Sequence, residues 1–315
     1  MDIWKILLNV LLLAVGFFLL AKGADWFVDG SANIAKKLKI PQLVIGLTIV
    51  AMGTSAPEAA VSISAALKGS AEITVGNIVG SNILNVLIIL GLSAAITPLI
   101  VSNDTIWIDI PVVLLATVLL FIMGFDGNIY WYEGLIILVI FAAYLVFLFF
   151  NAKNNKKDEV EEQQEKKEFS LPKAIIFSII GLVMIILGSN ISVDSATIIA
   201  QEFGISDRFI GLTIVALGTS LPELFTSVSA AMKKNADIAI GNIIGSNIFN
   251  ILFIVGITAV ITPVPFSETF RIDTLIALAS VVLLLICVIK TKKLHRWAGI
   301  IMLACYAAYF VYLLV

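Results

Sequence analysis

The chain alternates between long apolar runs and short polar interruptions over its whole length. Each run has about 20 or more mostly apolar residues, enough to cross ~30 Å of hydrocarbon as a helix. Runs this uniform favour helices over barrel strands, whose side chains alternate between lipid and lumen. The predicted spans lie at about 3–29, 40–67, 72–97, 105–124, 131–150, 172–200, 205–232, 237–262, 271–290 and 296–315.

Composition supports the same class. The 315 residues are 60% hydrophobic and 13% charged, which leaves too little polar surface for a soluble domain. We therefore predict an all-α integral membrane protein whose partner is the lipid bilayer, and nothing indicates nucleic acid or an obligate protein partner. Cys287 and Cys305 are expected to be small apolar packing residues. The only histidine, His295, lies in a basic loop and is not expected to bind a ligand.

The sequence contains an internal repeat. GLTIVAMGTSAPE at 46–58 returns as GLTIVALGTSLPE at 211–223, and GNIVGSNILNVL at 76–87 returns as GNIIGSNIFNIL at 241–252. In each pair the second segment follows the first by 165 positions, for example from Glu58 to Glu223. A constant offset indicates duplication, so the first span is not a cleaved signal peptide, because it has a partner in the second half.

The repeat predicts the domain organisation. Residues 1–150 form a first five-helix repeat, 151–170 a hydrophilic cytoplasmic linker, and 171–315 a second repeat. An odd number of spans per half inverts the second copy in the membrane, as in many secondary transporters. The linker has five lysines and six acids in 20 residues, which is typical of a solvated connection.

The distribution of basic residues predicts the orientation. With the N-terminus outside, 15 of the 20 lysines and arginines lie in cytoplasmic segments and 4 in outer ones, while Lys22 lies within the first span. Cytoplasmic loops carry the excess of positive charge. Both termini are therefore expected outside the cell membrane and the 151–170 loop inside.

The first repeated motif places a proline and a carboxylate within an apolar run. Pro57 and Pro222 predict breaks in spans 2 and 7, because proline lacks an N–H and crowds the preceding turn. A proline in a helix interior costs ~3 kcal/mol, and an acid at mid-membrane roughly another 3. A kink needs no acid, so Glu58 and Glu223 are interpreted as functional, with Thr54 and Ser55 clustered beside the first break.

The second motif adds neutral oxygens. Ser81 and Asn85 are four residues apart and share a helix face, and the second half repeats the pair as Ser246 and Asn250. We interpret these four as ligands, while the alternative of interhelical hydrogen bonding stays open. The motif's glycines are better explained by close helix packing. They are Gly76, Gly80, Gly241 and Gly245.

The donor types indicate the class of ion. Carboxylate, hydroxyl, amide and carbonyl oxygens suit Ca²⁺, Na⁺, Mn²⁺ and Mg²⁺ better than zinc, copper or iron. A flexible, dehydrated site favours Ca²⁺ and Na⁺, because Mg²⁺ retains its water and demands octahedral geometry. No metalloprotease or Ser–His signature occurs, so an enzyme is not expected, and the ions are cargo and not cofactors.

GTSAPE and GTSLPE, each followed by GNIVGSN or GNIIGSN, resemble the repeats of the sodium/calcium exchanger family, prokaryotic type, within the cation/calcium exchanger superfamily. The resemblance implies ten helices in two inverted halves, with the first and sixth spans sliding across the others. It also implies a Ca²⁺ site centred on Glu58 and Glu223. The remaining ligands for Ca²⁺ and Na⁺ would be Ala51, Thr54, Ser55, Ser81, Ala216, Thr219, Ser220 and Ser246.

One position departs from some relatives, which have an acid where this chain has Asn250. The amide argues against K⁺ co-transport and leaves a water or a proton as possible occupants of the middle position. We predict secondary antiport of Ca²⁺ against Na⁺ by alternating access. The alternative is a Ca²⁺/H⁺ exchanger, although that branch typically places a glutamate where this chain has Gly80 and Gly245.

Overall fold

The computed structural model describes residues 3–154, 169–204 and 216–314. Residues 155–168 of the predicted linker and 205–215 of the predicted seventh span lie outside this range. In the described part of the chain the helices are α1 (Ile3–Leu38), α2 (Gln42–Thr54), α3 (Ala56–Leu67), α4 (Glu72–Ile96), α5 (Thr105–Asp126), α6 (Trp131–Asn154), α7 (Leu171–Glu202), α8 (Ala216–Thr219), α9 (Leu221–Met232), α10 (Ala236–Ile261), α11 (Glu268–Val288) and α12 (Arg296–Leu314).

The protein is an all-helical membrane protein. Among the described residues, eight helices are long and apolar enough to cross a membrane, or nine when the bent pair α2–α3 is taken as one span. That pair bends by 49° at Ser55, and a second interruption separates α8 from α9 at Ser220. Each interruption therefore lies two residues before the proline, at Ser55 before Pro57 and at Ser220 before Pro222.

The helices α4 and α10, which carry the GNIVGSN and GNIIGSN motifs, form the centre of the protein. In the most apolar segment of each of these two helices, 78% and 83% of the residues are buried. The corresponding fraction is 17–39% in the other unbent spans. Within both central helices the backbone widens to π-helical turns, at Asn85–Leu90 and Phe249–Val255. Such turns recur at functional sites, and the sequence pattern did not predict them.

The longest helices, α1 and α7, pack against each other over most of their length. An ideal Cβ on Gly16 would approach the Gly188 carbonyl oxygen to 2.9 Å, and one on Gly23 would approach the Gly181 carbonyl oxygen to 2.8 Å. Residue numbers rise along one helix as they fall along the other, so the pair is antiparallel. Glycine allows the two backbones to approach this closely.

The predicted first span ended too early. α1 has 36 residues, which corresponds to about 54 Å of helix and exceeds the ~30 Å hydrocarbon thickness. The apolar pattern reports only the part in lipid, whereas the helix continues through the polar residues up to Leu38 because its backbone hydrogen bonds are internal. Of the two cysteines, Cys287 is buried as expected, but Cys305 is exposed and does not pack in the core.

Two short strand pairs connect the halves of the chain. Leu99–Ile100 (β1) pairs with Lys293–Leu294 (β4), and Asn128–Ile129 (β2) pairs with Val264–Pro265 (β3), both antiparallel. Each pair joins one strand from each half, and the 165-residue offset relates the two pairs. The two halves are therefore hydrogen-bonded to each other through both strand pairs. The hydropathy pattern could not reveal this contact.

Candidate cation-binding site

Glu58 and Glu223 lie in the first turns of α3 and α9, directly after the two helix breaks. Pro57 and Pro222 occupy the first or second helical position, where an N–H would have no intrahelical partner. The proline therefore costs much less than the ~3 kcal/mol of a helix-interior proline. The sequence-based estimate was too high because it placed each proline inside a continuous helix.

Both breaks have a capping-box pattern, but its serine hydroxyls contact side chains of the other half and not their own helix. Ser55 and Ser220 are the N-cap residues, with a glutamate three residues later, yet neither caps its own helix. Instead, the Ser55 hydroxyl donates to Oε1 of Glu223 at 2.8 Å, and that of Ser220 contacts Oε1 of Glu58 at 3.5 Å. Each half thus supplies a hydroxyl to the carboxylate of the other.

A third serine joins this group. The hydroxyl of Ser220 lies 3.4 Å from that of Ser81 on the central helix α4. We call Ser55, Glu58, Ser81, Ser220 and Glu223 the carboxylate cluster. All five side chains are at most 4% exposed, so the two acids are removed from bulk water.

The carboxylate cluster contains unsatisfied oxygens. Glu58 and Glu223 are each 1% exposed, and Oε2 of each has no hydrogen-bond partner within the described residues. An isolated charged carboxylate is very costly to bury, so it is neutralised or paired with a cation. In the described part of the chain no lysine, arginine or histidine forms an ion pair with either acid. The arrangement is suited to a cation supplied from outside the protein.

The repeat-related site residue Thr54 links the first break to α10. Its hydroxyl donates to Oδ1 of Asn242 at 3.0 Å and lies 3.1 Å and 3.2 Å from the carbonyl oxygens of Val50 and Ala51. The Ala51 carbonyl also lies 3.5 Å from the hydroxyl of Ser246. These contacts bring Ala51, Thr54 and Ser246 together, and their role as ion ligands stays a prediction.

The site residues of the first motif's second copy lie at the break between α8 and α9. Thr219 has a buried hydroxyl with no hydrogen-bond partner in the described structure. Ala216 begins α8, at the border of the segment 205–215 that lies outside the described residues. The Gly218 carbonyl, which Pro222 deprives of its helical donor, accepts the hydroxyl of Ser189 on α7 at 2.8 Å. The protein itself thus satisfies the carbonyl that the proline leaves without a helical donor.

Two asparagines brace the glutamate backbones. Asn77 donates to the Glu58 carbonyl oxygen at 3.2 Å and to the Ser62 hydroxyl at 2.9 Å. Its repeat equivalent, Asn242, donates to the Glu223 carbonyl oxygen at 3.4 Å and to the Ser227 hydroxyl at 2.9 Å. The constant 165-residue offset of the two asparagines marks them as equivalent in the sequence, but it does not predict these contacts.

Four further asparagines form a buried group between α4 and α10. Asn85 and Asn250, both predicted ligands, donate through Nδ2 to Asn247 and Asn82, respectively, each at 3.0 Å. Oδ1 of Asn85 and of Asn250 has no hydrogen-bond partner in the described residues, and each residue is 1% exposed. The interhelical hydrogen bond is therefore present at both asparagines, and their role as ligands stays a prediction.

Of the four glycines of the second motif, Gly241 and Gly245 pack closely as predicted, whereas an ideal Cβ on Gly80 would have no atom of the described residues within 4 Å. An ideal Cβ on Gly245 would lie 2.5 Å from the Leu47 carbonyl oxygen, and one on Gly241 would lie 2.9 Å from the Leu43 carbonyl oxygen. These glycines let α10 approach α2 closely enough for Ser246 to reach the Ala51 carbonyl. Gly76 makes only an ordinary contact with Phe270 among the described residues.

Asp29, near the end of the first predicted span, forms an ion pair with Lys233 at 2.8 Å. The same lysine lies 3.3 Å from a carboxylate oxygen of Asp25. This contact fastens α1 to the segment after α9, so Asp29 is an interface residue. Its repeat equivalent, Asp194, is exposed.

Comparison with known proteins identifies relatives over the full length. The family profile described as "Sodium/calcium exchanger protein" matches residues 8–150 and 173–315. The chain is 33% identical to the sodium/calcium exchanger MaX1 of Methanosarcina acetivorans, over 98% of this chain and 99% of the relative. It is also 33% identical to the inner membrane protein YrbG of Escherichia coli, over 94% of each chain.

A solved structure shows the same fold. The sodium-calcium exchanger NCX_Mj, soaked with zero Na⁺ and Ca²⁺, matches with a TM-score of 0.86 and 34% sequence identity. The match covers 98% of this chain and 99% of the other. The resemblance stated from the GTSAPE and GNIVGSN motifs is thereby confirmed at the level of the whole chain.

Proposed function

The chain belongs to the sodium/calcium exchanger family, and we propose that it exchanges Ca²⁺ for Na⁺ across the cell membrane by alternating access. The carboxylate cluster carries this proposal. Two buried acids from equivalent helix breaks each contact a hydroxyl of the other half, and Oε2 of each has no hydrogen-bond partner within the described residues. Two carboxylates match the charge of one Ca²⁺, and oxygen ligands are those that Ca²⁺ and Na⁺ prefer.

The proposed cation site is centred on these acids. Glu58 and Glu223 bind Ca²⁺ at the centre, and the neighbouring oxygens complete the overlapping Ca²⁺ and Na⁺ sites. The orphaned Oδ1 atoms of Asn85 and Asn250 support their inclusion. The full set is Ala51, Thr54, Ser55, Glu58, Ser81, Asn85, Ala216, Thr219, Ser220, Glu223, Ser246 and Asn250.

The proposed architecture has ten helices in two inverted five-helix repeats, 1–150 and 171–315. The two separate profile matches support a duplication, since 8 and 173 differ by the same 165 positions as the motifs. The antiparallel contact of α1 with α7, which are repeat equivalents, supports the inversion. On the charge distribution, both termini lie outside and the 151–170 linker lies in the cytoplasm.

Exchange follows from competition for the same acids. Na⁺ ions that occupy the carboxylate cluster and its neighbours exclude Ca²⁺, because they use the same oxygens and the same negative charge. When Na⁺ leaves, Ca²⁺ binds. If the number of Na⁺ ions leaves a net charge on the cycle, each elementary charge adds about 2.3 kcal/mol per 100 mV to the driving force.

Vesicle transport tests the proposal directly. Vesicles containing the protein and loaded with Na⁺ should take up radiolabelled Ca²⁺ when diluted into Na⁺-free medium. The isosteric changes Glu58→Gln and Glu223→Gln should each reduce uptake to the level of empty vesicles, because one Ca²⁺ then faces a single carboxylate. Uptake that survives both changes together would refute the assignment of these acids.

The second candidate is a Ca²⁺/H⁺ exchanger in which the two carboxylates carry protons. It is favoured by the same unpaired Oε2 atoms, since a proton neutralises a buried carboxylate as a cation does. Ca²⁺ uptake driven by a pH gradient without Na⁺ would select this function. Uptake that requires a Na⁺ gradient at constant pH selects the first.

A further inference from the structure

The four buried asparagines between α4 and α10 form two matching chains of hydrogen bonds. In one, Nδ2 of Asn82 donates to the Asn247 carbonyl oxygen at 3.3 Å, and Oδ1 of Asn82 accepts from Nδ2 of Asn250 at 3.0 Å. In the other, Nδ2 of Asn247 donates to the Asn82 carbonyl oxygen at 3.3 Å, and Oδ1 of Asn247 accepts from Nδ2 of Asn85 at 3.0 Å.

The direction of each chain is fixed at its start. A backbone carbonyl only accepts, so the end of Asn82 that meets the Asn247 carbonyl must be its NH₂ group. The other end of Asn82 is then its oxygen, which requires a donor from Asn250. The Asn250 amide must therefore turn its NH₂ toward Asn82 and its oxygen away. The same steps fix Asn85 through Asn247.

The ends of the chains are the two amide oxygens that have no partner in the described structure. Oδ1 of Asn85 and Oδ1 of Asn250 are buried on the helices that also carry Ser81 and Ser246. An amide in the opposite orientation would present N–H donors to a cation and would place two acceptors against each other in the chain. The first consequence excludes the amide as a cation ligand, and the second breaks the hydrogen bond within the chain.

We propose that Asn82 and Asn247 are positioning residues, which orient the amides of Asn250 and Asn85 so that each presents its oxygen to the transported cation. This inference rests on the proposed function. Asn82 and Asn247 themselves do not touch the ion: both ends of each side chain are used within the protein. Successive amides also polarise one another, which strengthens the terminal oxygens as ligands.

The pairing makes a crossed rescue experiment possible. In Asn247→Leu, the Asn85 amide loses the acceptor for its NH₂ group and is free to reverse. We expect the Ca²⁺ dissociation constant of the purified, full-length protein to rise about tenfold or more, as for loss of a hydrogen bond to a charged group. Adding Asn85→Asp should restore affinity, because a carboxylate presents an oxygen in either orientation.

The matched control is the other chain. Asn82→Leu should be rescued by Asn250→Asp and not by Asn85→Asp, whereas Asn247→Leu should be rescued by Asn85→Asp and not by Asn250→Asp. Both Asn→Asp changes add the same negative charge. A general increase in Ca²⁺ affinity from that charge would therefore appear in both pairings, and only the predicted positioning makes rescue depend on the pairing. Radiolabelled Ca²⁺ binding gives the dissociation constants, and thermal melting monitors folding.

Asn247→Ser serves where the leucine variant does not fold, because serine is too short to reach Asn85 but keeps a polar group near the Asn82 carbonyl. Rescue that follows the predicted pairing supports the proposal. Unchanged affinity in a folded variant, equal rescue by both aspartates, or no rescue by either overturns it while the proposed function stands. A wild type that binds no Ca²⁺ overturns the proposed function itself, and this inference with it.

Discussion

Gly245 sets the distance between α10 and α2, and its replacement by alanine should weaken cation binding. The added Cβ would lie 2.5 Å from the Leu47 carbonyl oxygen, 2.7 Å from the Leu47 Cα and 2.8 Å from the Ala51 Cβ. These atoms belong to the backbone or are attached directly to it, so no side-chain rotation relieves the contact. The helices must separate instead.

The size of the shift follows from these distances. Moving the Cβ from 2.5 Å to 3.4 Å, where ordinary contact begins, requires about 0.9 Å. Ca²⁺ binds oxygen over a range of only 2.3–2.6 Å. Ser246, the next residue after Gly245, faces the Ala51 carbonyl across this interface. A shift of this size exceeds the tolerance of the ion, so ligands from one side are lost.

We expect Gly245→Ala to raise the Ca²⁺ dissociation constant by about 10- to 100-fold, equivalent to one strong ligand contact of roughly 1.5–3 kcal/mol. Overpacking should also lower stability by ~1–3 kcal/mol, partly offset by the better helix propensity of alanine. Isothermal titration with Ca²⁺ measures the affinity, and thermal melting measures the stability separately.

Gly91→Ala is the matched control. This residue also lies in a helix interior at a close helix contact, but its Cβ would lie 3.2 Å from the Gly299 carbonyl oxygen and from the Met302 Cβ, a much milder conflict. The control should melt slightly differently and bind Ca²⁺ like the wild type. Unchanged affinity in a folded Gly245→Ala protein would refute the reasoning, as would an equal loss in the control.

Three further predictions address other contacts. Gly181→Ala places a Cβ 2.5 Å from a backbone nitrogen of α1 and so disturbs the α1–α7 contact. This variant should take up Ca²⁺ several-fold more slowly than the wild type. An equally large loss of Ca²⁺ affinity would contradict the prediction. Lys233→Met removes the partly exposed ion pair with Asp29. The free energy of unfolding, measured by denaturant titration, should therefore fall by less than about 1 kcal/mol. The difference from the wild type should be smaller still at high salt. Ser55→Ala should raise the Ca²⁺ dissociation constant more than Ser220→Ala, since the first hydroxyl lies 2.8 Å from its carboxylate oxygen and the second 3.5 Å; the reverse order in binding assays would contradict the geometry.

The features that a linear pattern can carry were predictable from the sequence. Hydropathy gave the membrane class and most helix positions, because an apolar run must match the bilayer thickness. The constant offset between the motifs identified Glu58 and Glu223 as equivalent. That the oxygens around them form one cation site stays a prediction, although Ser55 contacts Glu223 and Ser81 contacts Ser220.

The partners of individual polar atoms were not predictable, because they depend on tertiary contacts between the halves. The hydroxyl of Ser189, which satisfies the Gly218 carbonyl, lies 29 residues away and has no repeat equivalent, since position 24 is an alanine. The positioning proposed for Asn82 and Asn247 likewise depends on which end of each amide meets a carbonyl. The sequence gives the residue types but not these orientations.

Under the proposed function, the two N-cap serines explain why both copies of the motif contribute to one site. A serine that caps its own helix typically stabilises it by about 1 kcal/mol. Here that contribution is given up, and each hydroxyl serves the carboxylate of the other half. Neither half therefore has a complete site. A cation that binds both carboxylates contacts both halves at once, so its binding energy acts on the contact between them. Under the proposed mechanism that contact must change when access alternates, and an ion bound at this position can therefore influence the change directly.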